Sequence, residues 1–208
     1  MESHTKPIED IDAIRTMMER STRFLSLSGL SGIVAGLIAI AGSIVAITLI
    51  LKGNTDGTFP DLKGGNSGGM AELLFVDAMI ILTLAVASAL FLSNRKAVRQ
   101  GMKMWTPVSK RLLLNISIPL ISGGLFIILL YNRELYELII PAMLFFYGLA
   151  LVSAGKFTFD EVFYLGVLEI ATGFTAGLFP EYGIFLWIFG FGILHVIYGL
   201  VLYRKYDR

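Results

Sequence analysis

Residues 112–154 read LLLNISIPLISGGLFIILLY, then NRE, then LYELIIPAMLFFYGLALVSA: two apolar runs of 20 residues separated by Asn132-Arg133-Glu134. A helix rising 1.5 Å per residue needs about 20 apolar residues to cross a hydrocarbon core of about 30 Å. Three polar residues leave room only for a tight reversal, so the stretch is a membrane-spanning helical hairpin. The strands of an outer-membrane barrel would alternate apolar and polar residues. These runs are apolar on every face, and that decides for helices.

Working outward, runs of the same kind cover 24–51 and 73–93 before the hairpin, and 162–179 and 183–203 after it. The fold class is therefore all-α: a polytopic membrane protein of six transmembrane helices. Only 16% of the 208 residues are charged, against about 25% in an ordinary soluble domain. Residues 1–23 form a separate N-terminal segment and 24–208 the six-helix domain, with no room for a further globular unit. Mixed charge at the N-terminus and the length of the first run argue against a cleavable signal.

Orientation follows from the basic residues. Of the 17 lysines and arginines, 14 fall on one side: the N-terminal segment, the 95–111 linker, Lys156 and the tail. Only Lys52, Lys63 and Arg133 fall on the other. The positive-inside rule then puts both termini in the cytoplasm. The 95–111 linker carries six basic and no acidic residues, as expected of a segment lying against anionic lipid headgroups. The 52–71 loop, with six glycines, is expected to be external. Its Asn54-Thr55-Asp56-Gly57 stretch resembles a calcium loop only faintly, because Lys52 and Lys63 stand where oxygen ligands are needed.

Local punctuation supports the spans. Thr106-Pro107 suits a cap and first-turn proline for the third helix. Thr158 and Glu161 have capping-box spacing for the fifth, with Phe157 and Val162 placed as a staple. Pro180-Glu181-Tyr182 marks the turn between spans five and six. In the N-terminal segment, Ile8, Ile11, Ile14 and Met18 recur at helical spacing. This amphipathic cytoplasmic helix can lie on the membrane surface or dock to a protein partner.

Within the spans, small and polar residues point to packing and chemistry. Ser28, Gly32 and Gly36 form a small-xxx-small face on the first span, suited to close packing within the bundle or to a homo-oligomer. Pro119 deprives the carbonyl of Asn115 of its helical donor. With Asn115 and Ser122 nearby, that is the pattern of a kink or a vestibule wall. Glu169 lies near the middle of the fifth span, where an unpaired charge is expensive. Gly166, Gly173 and Ala176 share its face. His195 lies at a similar depth in the sixth span, so the two form a candidate intramembrane pair. The pair fixes helix register, handles protons or cations, or contacts a ligand.

The chain lacks other chemistry-bearing patterns. It has no cysteine and only His4 and His195, so no multi-histidine zinc site or bis-histidine haem pair is available. No P-loop, nucleophile elbow or His-Glu-x-x-His occurs. No cofactor is expected, and the basic linker needs no nucleic acid to explain it.

The stretch from Arg15-Thr16-Met17-Met18-Glu19-Arg20 to Ser28-Gly29 resembles the start of uncharacterised small six-span bacterial inner-membrane proteins. The resemblance implies a bacterial inner-membrane location and brings no activity or site residue. The leading expectation is a non-enzymatic binding, sensing or accessory subunit. The alternative is a small proton- or cation-coupled transporter using Glu169 and His195. An enzyme ranks third, because nothing supplies a nucleophile with its base.

Overall fold

The computed structural model describes residues 27–53, 67–101 and 105–207. Among them are six helices long and apolar enough to cross a membrane, and no strand. The helices are α1 (Gly29–Gly53), α2 (Ser67–Arg99), α3 (Pro107–Asn132), α4 (Ile139–Gly155), α5 (Asp160–Leu178) and α6 (Pro180–Asp207). A 3-10 turn over Tyr136–Leu138 leads into α4. Helix α6 is composite, with a 3-10 turn, a short α segment, a π segment over Ile188–Leu194 and a further α segment from His195. The segment 1–23 and the Asn54–Gly57 stretch lie outside the described residues.

Helix ends differ from the sequence reading in several places, and α2 opens at Ser67, inside the stretch read as the 52–71 loop. The 95–111 linker is largely helical: α2 runs on through Arg99 and α3 opens at Pro107. Lys96 and Arg99 thereby occupy the last turn of α2, where the macrodipole favours cations. Gly101, at φ 65°, lies in the turn that ends α2. Thr106 caps α3 as expected: its Oγ1 accepts from the Ser109 amide at 3.1 Å, and its amide donates to Ser109 Oγ at 2.7 Å.

The Thr158–Glu161 capping box does not form. Phe159 is the N-cap of α5 and makes no side-chain cap bond. Thr158 instead donates to the carbonyl of Ala154, 2.9 Å away at the end of α4. Glu161 accepts from Lys205 Nζ at 2.7 Å. Two competitors thus take both partners: a backbone carbonyl one turn back and a cation on α6.

Contacts between helix ends establish the alternating course. Lys96 at the end of α2 meets Asp207 at the end of α6 at 2.6 Å. Asp207 also accepts from Ser28 Oγ at 3.1 Å and the Gly29 amide at 2.8 Å, capping the start of α1. Phe75 and Tyr131 meet at the opposite side, with ring centroids 6.3 Å apart. The first side, where residues 27 and 207 lie, is here the terminal side; the other is the hairpin side.

Small residues set the closest crossings, since lipid gives apolar faces no reason to prefer one another. Helices α4 and α5 meet at Gly148 and Gly166, where a Cβ on either would lie 2.7 Å from the other's carbonyl oxygen. Helix α6 lies mainly across α1 rather than α5. There Gly36 approaches Gly192, with a Cβ on Gly36 2.7 Å from the Gly192 carbonyl, and Gly32 approaches Gly199. Helix α2 packs on α1 and α3 on α4. Both leave long rows of leucine, isoleucine, valine and phenylalanine exposed, including Val98, Leu114 and Leu125. The spans differ in length: that within α2 covers 28 residues and that of α5 only 19.

Candidate functional site

The face of α5 that carries Gly166, Gly173 and Ala176 also carries Glu169, and all four are buried. Glu169 is 0% exposed. Room for its carboxylate comes from Gly190 on α6. A Cβ there would lie 2.6 Å from Glu169 Oε2 and 2.5 Å from Leu144 Cδ2 on α4. Glu169 therefore stands at a junction of three helices.

The π segment of α6 positions His195 beside it. His195 Nδ1 lies 3.0 Å from the carbonyl oxygen of Gly190, five residues earlier. A carbonyl can only accept, so Nδ1 carries the hydrogen and Nε2 is left to accept. The hydroxyl of Tyr147, on α4, lies 2.8 Å from Nε2 and donates to it. Every polar atom of the imidazole is engaged in its neutral form. Glu169 Oε1 is 3.4 Å from the same Nδ1. Neither carboxylate oxygen has a hydrogen-bond partner among the described residues. The Glu169–His195 contact is thus a close approach of ionisable groups, while the donated hydrogen is aimed at Gly190. Wide π turns of this kind often occur at functional sites.

Aromatic rings flank the histidine. Tyr147 and Phe191 pack with centroids 5.1 Å apart, as do Trp187 and Phe191. Beyond them lies a cavity of about 170 Å³ bounded by α1, α2, α4 and α6, and it reaches Tyr147 and His195. It adjoins a cleft of about 930 Å³ on the hairpin side, between α2 and α3. Ala78, Ile81, Leu82, Met143 and Trp187 line both. The cleft is mostly apolar, with Asp77, Glu137, Glu181, Tyr131 and Tyr136 among its lining residues.

Of the residues singled out in the sequence, Glu169 and His195 come together. Ser28, Gly32 and Gly36 lie in the α1–α6 contact within the chain. Asn115, Pro119 and Ser122 line neither cavity. Asn115 and Ser122 are exposed, and Asn115 Nδ2 donates to the carbonyl of Arg111 at 2.8 Å. Helix α3 continues through Pro119. The sequence reading passed over Tyr147, Gly190 and Asp77. Asp77 carried the signal that marks Glu169, an ionisable residue inside a span. Tyr147 and Gly190 carried none beyond their place in apolar runs.

No group of three or more histidine, cysteine, aspartate or glutamate side chains suited to a metal occurs among the described residues. Comparison of the chain with protein-family models, with curated proteins and with solved structures finds no match.

Proposed function

We propose that this chain is a non-enzymatic binding protein of the bacterial inner membrane that holds an amphiphile in the cleft between α2 and α3. The supporting observation is the cleft itself. At about 930 Å³ it has the size of a small-molecule site, and its apolar walls and few polar groups have the chemistry of one. The apolar body of the ligand lies against Ile127, Ile128 and Met143, and a cationic or hydrogen-bond-donating head meets Asp77. Both termini are cytoplasmic, the basic end of α2 meets anionic headgroups, and the N-terminal helix serves a protein partner. The exposed faces of α2 and α3 meet lipid or a second copy.

Gly124 provides the test. It lines the cleft, and a Cβ added there meets nothing within 4 Å. Gly124→Leu should fill space without disturbing the fold. In nanodiscs, a long-chain amine bearing a diazirine should cross-link to the cleft residues of α2 and α3. Overfilling a site costs about 1–3 kcal/mol, so Gly124→Leu should lower that labelling about tenfold. Labelling spread over all lipid-facing surfaces and indifferent to Gly124→Leu would defeat the reading. For orientation, a reporter fused after Arg208 and one inserted near Gly65 should report opposite compartments; a shared compartment would overturn it.

A second reading, a small proton- or cation-coupled transporter, is favoured by one observation. Glu169 is buried without a hydrogen-bond partner among the described residues, beside a histidine and tyrosine that border a cavity sharing five lining residues with the cleft.

A further inference from the structure

We infer that Tyr147 and His195 are the path by which Glu169 exchanges a proton with the cleft on the hairpin side. The inference deepens the second reading above and rests on three observations. The first is a fully buried carboxylate whose two oxygens have no hydrogen-bond partner among the described residues. The second is a close sequence of groups: Glu169 Oε1 lies 3.4 Å from His195 Nδ1, whose hydrogen rests on the Gly190 carbonyl, and His195 Nε2 lies 2.8 Å from the Tyr147 hydroxyl. The third is that Tyr147 and His195 line the small cavity, which shares five lining residues with the cleft, whereas Glu169 lines neither. The route therefore has a direction.

Its proton balance closes. In the starting state Glu169 is a carboxylate, His195 carries its hydrogen on Nδ1, and Tyr147 donates to Nε2. A proton reaching the Tyr147 oxygen lets the hydroxyl hydrogen pass to Nε2, while a small turn of the ring carries the Nδ1 hydrogen from the Gly190 carbonyl to Glu169 Oε1. The end state is a neutral carboxyl group, a neutral imidazole with its hydrogen on Nε2, and an intact tyrosine. One proton has entered and none is left over. Reversal of the steps restores the starting tautomer.

The titratable groups around the site are few. Helix α4 contributes Tyr147, and α6 contributes His195 and, one turn further on, Tyr198. Helix α5 has no other titratable residue within a turn of Glu169. The α1 and α2 residues around the small cavity are alanine, isoleucine, leucine and valine. Apolar walls keep such a space dry at rest, so proton entry is a discrete event and not a leak.

The test is an acid jump on oriented, reconstituted protein, followed by infrared difference spectroscopy. A protonated-carboxyl band should appear after acid is added on the hairpin side and be missing in Glu169→Gln. Glu169→Asp, which shifts the band, supplies the assignment if the amide variant does not insert. Tyr147→Phe keeps the ring against Phe191 and removes the hydroxyl. It should leave the final band unchanged and slow its rise about a hundredfold, the lower end of what a positioned proton donor contributes. A wild-type rate in Tyr147→Phe, a band responding only to acid on the terminal side, or no titrating band would each overturn the inference. Proton flux across vesicles separates it from the transport reading. A Tyr147-dependent band without net flux keeps the exchange site and removes transport. Flux that persists at the wild-type rate in Tyr147→Phe keeps transport and removes the route.

Discussion

Gly166→Leu should cost the bundle several times more than the same change at Gly177, about three turns along the same helix. At Gly166 an added Cβ would lie 2.7 Å from both the Gly148 carbonyl oxygen and the Val152 amide nitrogen. Both are backbone atoms of α4, and neither can swing aside. Helices α4 and α5 would have to separate along their crossing, losing the close packing that holds membrane helices together. The expected loss is about 3 kcal/mol or more, at the upper end for overpacking. At Gly177 the nearest atom is Pro141 Cβ at 3.8 Å, an ordinary contact. There the better helix propensity of leucine should offset what little is lost, since glycine costs about 1 kcal/mol in a helix interior. Thermal melting in micelles, read by tertiary-structure circular dichroism, makes the comparison. Equal melting of the two variants would mean that the α4–α5 crossing is not close in the folded protein.

His195→Ala and Glu169→Met should move stability in opposite directions. Alanine at 195 strips the Tyr147 hydroxyl of its acceptor and the Gly190 carbonyl of its side-chain donor, in a site where His195 is buried and Tyr147 half-buried. Each unsatisfied buried group costs about 1–3 kcal/mol, and the emptied ring volume adds to it, so about 3–5 kcal/mol is expected. Methionine at 169 removes a buried ionisable group that no hydrogen bond holds. Replacing such a group by an apolar side chain of similar shape is often neutral or stabilising by about 1 kcal/mol or more. The same melts decide it. A loss in Glu169→Met as large as in His195→Ala would make the carboxylate a structural element and remove the motive for a proton site.

The two variants also show what the sequence carried and what it did not. Six apolar runs and the turns at Asn132-Arg133-Glu134 and Pro180-Glu181-Tyr182 were enough for the helix count, because lipid demands length and apolarity before anything else. Glu169 and His195 were legible for a related reason: a charged side chain in an apolar span has to go somewhere. Which helices pack together was less legible. Hydropathy is uniform around these helices, so it does not say that α6 lies across α1; only the glycines at 32, 36, 192 and 199 carry that information. Tyr147 went unnoticed because a tyrosine among phenylalanines and leucines looks like packing until its partner is known. Asp207 was counted as part of the tail, yet it caps α1 and holds Lys96. Such long-range polar ties have no local spacing to betray them.

The unequal helices have a mechanical consequence. At 1.5 Å per residue, the 28-residue span in α2 is about 42 Å long and the 19-residue α5 about 28 Å. A bilayer that matches α5 is too thin for α2, which must lean over or protrude. Helix α2 has room to lean, since along its length it packs mainly on α1 and is held near its ends by Lys96 and Phe75. Its tilt therefore follows the thickness of the surrounding membrane. The gap between α2 and α3 would then be wider in one bilayer and narrower in another, with no change in the chain itself.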